Sequence, residues 1–214
     1  MSGYDIRFEN ALKYKDKETF DATLRSLSQL RREKILKIKD ERTARLSMAA
    51  GVLMEGLLKQ KGFDITDIVF NDKEKPELKN KEFYFNLSHA HEAAVIAFSE
   101  KPVGVDMEYL DRKIKPEGIE KRYFSEGERR SLYEADDLKK RFFEIWTMKE
   151  AYGKLKGGGI SDALEFSSDK PEEFGVMIDH PGLRFFEPFA EDEREEYYII
   201  SVCQYIRDKE KNNK

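Results

Sequence analysis

The amino-acid sequence predicts an α+β protein built as two halves that meet near residue 102. Long helical segments on both sides of Lys101-Pro102, and short apolar runs with a period of two that recur on both sides, carry this expectation. No convincing internal sequence repeat accompanies the division.

In chain order, residues 4–8 form a first strand candidate. Residues 17–39 carry Phe20, Leu24, Leu27, Leu30, Ile35 and Ile38 at roughly helical spacing, which predicts one helix. Residues 41–61 give the strongest helical pattern: Leu46, Ala49, Ala50, Leu53, Leu57 and Leu58 face inward, and Gly62 stands where a C-terminal cap belongs. A short strand is expected at 65–70 and a charged, proline-containing loop at 71–81. Residues 83–87 and 93–98 are expected as neighbouring strands around the polar break Ser88-His89-Ala90-His91. The second half is expected to run as a strand at 103–108, helices at 114–123, 125–135 and 138–154, and strands at 164–167, 175–178, 183–186 and 197–205. The lysine-rich tail from residue 208 is expected to fray.

Composition narrows the classes. With 214 residues the chain can hold one large core or two small packed subdomains. It is 38% charged, yet its formal net charge is only −4, which disfavours a general nucleic-acid binder. An apolar content of 39% with 15 Phe and 10 Tyr excludes disorder. The single cysteine, Cys203, lies in the apolar run Tyr198-Ile-Ile-Ser-Val-Cys203 and is expected in a core strand, so no intrachain disulfide forms. Residues 1–10 lack an apolar signal core and no stretch reaches membrane-span length. The expectation is a soluble, cytoplasmic protein with neither a nucleic acid nor a membrane as partner.

Two acidic signatures stand out. In Gly104-Val105-Asp106-Met107-Glu108 the period of a strand puts Asp106 and Glu108 on one face. In Trp146-Thr147-Met148-Lys149-Glu150, followed by Lys154, helical spacing puts Trp146, Glu150 and Lys154 on one stripe. Three carboxylates beside a lysine suit a magnesium ion held against a phosphate, because that ion takes hard oxygen ligands and shares coordination with phosphate. The plain alternatives are a solvated strand face, an ordinary helical Glu–Lys pair, and a tryptophan in the core. Gly104 is expected to let backbone approach a ligand closely. The run Lys156-Gly157-Gly158-Gly159 is either a flexible turn or a set of N–H groups offered to a substrate. His89 is either a buried structural histidine or, with Ser88, a group aimed at an anion from a strand end. His91 and His180 belong to no constellation, and no cysteine–histidine spacing suits zinc. Arg31, Arg32, Lys34, Lys37, Arg42 and Arg45 make a solvated helical face able to supply two or three phosphate contacts.

Taken in order, Asn86-Leu87-Ser88-His89, Gly104-Val105-Asp106-Met107-Glu108, Arg122-Tyr123-Phe124-Ser125 with Glu128, and Trp146 through Lys154 with Gly157 and Gly159 form a pattern. It resembles the Sfp-type 4′-phosphopantetheinyl transferases, with order and spacing agreeing over about residues 30–165. The resemblance implies a pseudo-dimer of two similar α+β subdomains with the active site in the cleft between them. Residues 1–101 would form the coenzyme A side, 102–207 the metal side, and 208–214 a flexible tail. It implies transfer of 4′-phosphopantetheine from coenzyme A to a serine of an apo acyl or peptidyl carrier protein, magnesium dependence, and release of adenosine 3′,5′-bisphosphate. Two fused halves would complete a cleft in a monomer.

Carried over by position, Asp106, Glu108 and Glu150 resemble the metal carboxylates, and Lys154 the lysine near the transferred phosphate. Ser88 and His89 resemble the residues that meet the coenzyme A phosphates, and Lys75-Pro76 the adenine-side loop. Arg31, Lys34 and Arg45 match basic residues near the 3′-phosphate. Glu74 stands where the family loop usually has glycine, and Ala90 where serine commonly follows the histidine. Glu150 and Lys154 would act in catalysis, with Glu150, directly or through a water, or Glu128 as the base. Arg122, Arg129, Arg130, Lys139, Lys140 and Arg141 are either carrier contacts or a solvated face. Two rival classes remain open: a magnesium-dependent phosphohydrolase or nucleotidyl enzyme, and a catalytically silent carrier-binding protein.

Overall fold

Each half sets a long helix against a three-stranded antiparallel sheet. The computed structural model describes residues 3–72, 75–180 and 198–206. The first half runs β1 (Asp5–Asn10), a 3-10 turn at Ala11–Lys15, α1 (Lys17–Ser26), α2 (Gln29–Leu36), α3 (Glu41–Lys61), β2 (Ile68–Phe70), β3 (Pro76–Leu78), β4 (Tyr84–Ala90) and β5 (Ala93–Ser99). The second runs β6 (Val103–Tyr109), α4 (Ile119–Tyr123), α5 (Glu126–Tyr133), α6 (Leu138–Lys156), α7 (Ile160–Glu165), β7 (Val176–Asp179) and β8 (Tyr198–Tyr205). The sheets have the orders β1-β5-β4 and β6-β8-β7, and β2 with β3 forms a separate pair. In both three-stranded sheets the strand that comes last in the chain lies in the centre.

The two long helices are bounded by residues suited to the task. Asp40 accepts a hydrogen bond from the Thr43 N–H at 2.8 Å, and Gly62 takes φ +82° just past the end of α3. Asp137 accepts from the Lys140 N–H at 2.9 Å, and Gly157 takes φ +86° after α6. Helix α3 buries Met48, Ala49, Leu53, Leu57 and Leu58 in the first core, whereas α6 buries Phe142, Phe143, Ile145 and Ala151 in the second. A third apolar layer lies between the sheets, where Ala93, Val95 and Ala97 meet Val103, Val105, Met107, Ile200 and Val202. Cys203 is a core strand residue, as expected, and burial pushes its thiol pKa up.

Several expected elements differ. The helix expected over 17–39 is two, because Ser28 caps α2 by accepting from the Arg31 N–H while its own N–H and hydroxyl donate to Glu55 at 2.8 and 2.7 Å. Residues 65–70 begin as a 3-10 turn boxed by Asp64 and Asp67 before β2 starts. The loop at 71–81 contains β3, since the Asn71 side chain accepts from the Lys75 N–H at 3.0 Å and turns the chain back on β2. Ser88, His89 and Ala90 continue β4, and the break falls at His91, which takes φ +49°. Only 119–123 of the segment 114–123 is helical, after Pro116 and Gly118 at φ +94°. No strand forms at 164–167: residues 164 and 165 end α7, which begins where Gly159 accepts from the Ala163 N–H, and 166 and 167 leave it in irregular conformation. The strand expected at 183–186, Glu74 and the tail 208–214 lie outside the described residues. Among the described residues, no helix is long and apolar enough to cross a membrane.

Candidate active site

Edge strands β4 and β6 face one another at the junction of the halves, and side chains link them. The Val105 N–H of β6 donates to Asn86 Oδ1 of β4 at 2.9 Å. One residue further along β6, Asp106 Oδ1 accepts from Ser88 Oγ at 2.9 Å and from Lys154 Nζ at 2.7 Å. Lys154 Nζ also donates to Ser88 Oγ at 2.8 Å. A carboxylate, a hydroxyl and an ammonium from β6, β4 and α6 thus form a closed triangle. Asp106 and Ser88 are buried, so the ion pair sits largely out of water, where charge-assisted bonds are strongest.

Gly104 makes this approach possible. A Cβ at that position would lie 2.1 Å from the Ala151 carbonyl oxygen and 2.6 Å from the Leu155 nitrogen. The close neighbour of Gly104 is therefore the backbone of α6, not the ligand expected from the sequence. By pressing α6 onto β6, this glycine brings Lys154 within reach of Asp106.

Glu108 and Glu150 extend the acidic face. Both are half-buried, and desolvation raises both carboxyl pKa values, with the Asp106 charge pushing the same way. Arg112 opposes that rise at Glu108: its Nη1 lies 2.9 Å from both carboxylate oxygens. Asp106, Glu108, Arg112, Trp146 and Glu150 line a depression of about 310 Å³ backed by Phe142 and Phe143. Glu108 and Arg112 also line a neighbouring depression of about 630 Å³, with Arg42, His89, His91 and Asp111. Trp146 takes a place between the two expectations, since it packs against Tyr123 and Phe142 while also lining the depression. Among the described residues, no three His, Cys, Asp or Glu side chains converge in the geometry that holds a metal ion.

His89 is exposed on β4, yet the protein packed around it and the nearby Lys154 cation lower its imidazole pKa. On α3, Arg45 Nη2 donates to the buried Glu92 at 3.2 and 3.4 Å, and Arg42 lies 3.5 Å from the same carboxylate. The buried Arg45 Nε has no hydrogen-bond partner. Lys75 Nζ donates to the Lys154 carbonyl oxygen at 2.8 Å, which ties the loop before Pro76 and β3 to the last turns of α6. Arg31 and Lys34 stand on α2 and line neither depression. Arg31 lies along Gly51 with Nη2 near Met54 Sδ, and desolvation lowers its pKa, whereas Lys34 is exposed.

Glu128 does not join the site. It is fully buried, pairs with the buried Lys149 at 3.2 Å, and accepts from the Ser125 N–H at 2.7 Å and the Ser168 N–H at 2.6 Å. These three partners make it an internal anchor among α5, α6 and the 166–168 segment, so the carboxylate considered as a base is committed elsewhere. The glycine run is committed too. The N–H groups of Gly157 and Gly159 donate to the Gly153 carbonyl, and that of Gly158 donates to Asp162, which leaves none for a substrate. Of the expected carrier-contact residues, Arg129 donates to the Phe124 carbonyl, Arg141 to Ser131 and Glu144, and Arg130 lies near Glu126.

Sequence reasoning missed Asn86 as a strand linker, Glu92 as the acceptor for two arginines, and Arg112 as the partner of Glu108. Arg112 lies four residues after Glu108, a spacing that signals an ion pair on a helix but not across a strand end and turn. Asn86 stands in the ordered motif pattern but with no role legible there, and nothing local marks Glu92; their partners are 19 and 47 residues away.

Residues 102–202 match the model of the "4'-phosphopantetheinyl transferase superfamily". The chain is 30% identical over 190 residues to "4'-phosphopantetheinyl transferase Sfp" of Bacillus subtilis (strain 168), covering 85% of this chain and 82% of that protein. It is 31% identical over 192 residues to "4'-phosphopantetheinyl transferase ffp" of Bacillus subtilis, again covering 85% of this chain and 82% of the relative. A shorter match, 39% over 84 residues, joins it to "4'-phosphopantetheinyl transferase HetI" of Nostoc sp., covering 38% of this chain and 35% of that one.

Proposed function

The chain belongs to the 4′-phosphopantetheinyl transferase superfamily and is an enzyme of that class, and we propose that it takes its 4′-phosphopantetheine group from coenzyme A, places it on a serine hydroxyl of an apo acyl or peptidyl carrier protein, and releases adenosine 3′,5′-bisphosphate. The observation that carries the proposed site is the Asp106–Ser88–Lys154 triangle, with Glu108 and Glu150 beside it.

Attack of a serine hydroxyl on a pyrophosphate phosphorus needs charge neutralisation, in-line placement and removal of a proton. Asp106, Glu108 and Glu150 are the hard oxygen donors that magnesium prefers, and desolvation of both glutamates favours a cation beside them. Bound there, the ion would supply positive charge to the pyrophosphate oxygens. Lys154, drawn to the site by Asp106, stabilises charge on the transferred phosphate or protonates the departing group. Glu150 takes the serine proton, directly or through a water, because desolvation makes it a stronger base than a solvated glutamate.

Ser88 and His89 meet the coenzyme A phosphates in this reading, Lys75 and Pro76 lie on its adenine side, and Arg45, Arg31 and Lys34 supply positive charge toward the 3′-phosphate. The buried Arg45 Nε without a partner supports a role for that residue in anion binding. The two halves, 1–101 and 102–207, are read as a pseudo-dimer with the active site in its cleft. The shared strand order and the single long helix behind each sheet support this. One chain then carries a whole cleft, which suits a cytoplasmic monomer.

Incubation with coenzyme A, magnesium and a panel of apo carriers tests the proposal, with the carrier followed by mass spectrometry. A phosphopantetheine mass gain on a serine is expected. Adenosine 3′,5′-bisphosphate released without carrier modification would overturn it in favour of a hydrolase, and carrier binding without product would do so in favour of a silent binding protein.

A further inference from the structure

Arg112 follows β6 through a turn in which its N–H donates to the Tyr109 carbonyl at 3.0 Å. Its exposed side chain then folds back over the strand end, so that a single nitrogen lies 2.9 Å from each Glu108 oxygen. That position, equidistant between the two oxygens, is where a cation bound by both of them would sit. Lys154 holds one oxygen of Asp106, Oδ1, from the helix side at 2.7 Å. Two side-chain cations therefore occupy carboxylates that the proposed reaction assigns to a metal. They differ in freedom: Lys154 is anchored by Ser88 and Asp106, whereas Arg112 is exposed and lines both depressions.

Resting on the functional reading above, we infer that Arg112 is a placeholder cation: it holds Glu108 while no divalent ion is bound, and is released into the larger depression to meet a phosphate oxygen of coenzyme A once an ion takes that carboxylate. The larger depression also presents Arg42 and His89, so the released guanidinium joins groups suited to a polyanion. The same residue would then oppose metal binding in the free protein and favour coenzyme A binding in the loaded one.

The test titrates Mn2+ into the full chain without coenzyme A, following free and bound ion by electron paramagnetic resonance. Wild type is compared with Arg112→Gln and with Lys113→Gln, which removes the same charge from the adjacent exposed residue. Arg112→Gln should bind Mn2+ about two- to fivefold tighter, the range expected for release of an exposed ion pair, with Lys113→Gln close to wild type. In the transfer assay at saturating magnesium, Arg112→Gln should raise KM for coenzyme A about five- to twentyfold and change kcat by less than about threefold. Unchanged Mn2+ affinity, or an equal gain in Lys113→Gln, overturns the exchange, and an unchanged KM overturns the phosphate contact. A wild-type protein that binds no Mn2+ overturns the exchange together with the metal reading. One that binds Mn2+ with the expected variant pattern, yet modifies no carrier, upholds the exchange and overturns the transfer reaction alone.

Discussion

Lys154 Nζ and Asp106 Oδ1 lie 2.7 Å apart, which joins the last turn of α6 to the middle of β6 at the meeting of the two halves. The pair holds charges that chemistry at this site would use, and it depends on the helix and strand approaching more closely than side chains normally allow. Removing either partner should reveal both dependences. Lys154→Ala leaves a buried carboxylate with only Ser88 as donor. It should lower transfer at least about 100-fold, through loss of charge stabilisation at the phosphate, and lower stability by about 1–3 kcal/mol. Asp106→Ala should abolish transfer with the fold retained. Carrier mass shifts and circular dichroism check both, and a fully active Asp106→Ala protein would sink the site.

Gly104→Ala tests the approach itself. The added Cβ meets backbone atoms of α6 at 2.1 and 2.6 Å, and backbone cannot swing aside as a flexible side chain can. The helix must lift off β6, at a cost of about 1–3 kcal/mol or more. Transfer should fall further than stability, because Lys154 moves away from Asp106. Urea unfolding alongside the transfer assay separates the effects, and a variant of wild-type stability and rate contradicts the stated role of this glycine.

Lys149→Met should act through stability. It leaves Glu128 charged, fully buried and without its cation, a change that costs about 3–5 kcal/mol. The surviving folded fraction should keep the wild-type KM for coenzyme A, since neither residue lines the depressions. A loss under about 0.5 kcal/mol in urea unfolding would show that the buried pair is not the anchor described.

Coenzyme A binding should take up a proton. Desolvation, and then the Lys154 charge, lower the His89 pKa below its ordinary 6.5. The folded protein therefore holds fewer protons at this site than the unfolded chain. Stability is consequently lost as pH falls below the unfolded value and through the folded one. A phosphate beside the ring reverses the shift, so affinity should rise several-fold as pH drops from about 7.5 to about 6. Calorimetry in buffers of different ionisation enthalpy measures the uptake, and the same uptake in His89→Asn would assign the proton to another group.

Local pattern made α3 legible to the residue, because the apolar stripe and Gly62 agree. The strand at β6 was legible for a similar reason, since Val103, Val105 and Met107 alternate with Gly104, Asp106 and Glu108. The break at Ser28 was not, because it depends on Glu55, a partner 27 residues away. Residues 164–167 misled because a short apolar run has no clear period; packing of Phe166 on Tyr152 and a glycine start to α7 decided the matter.

The sequence by itself determined the α+β class, the two long helices, the acidic strand and helix, and the family that their order resembles. These follow from periodicity, end caps and motif order, all written along the chain. Only the tertiary structure decided that Gly104 serves α6, that Glu128 belongs to Lys149, that the glycine run keeps its N–H groups for itself, and that Arg112 covers Glu108. The first two depend on which groups lose water together, the last two on how the turns after α6 and β6 fold back. Burial couples residues across tens of positions, and no local pattern records the partner.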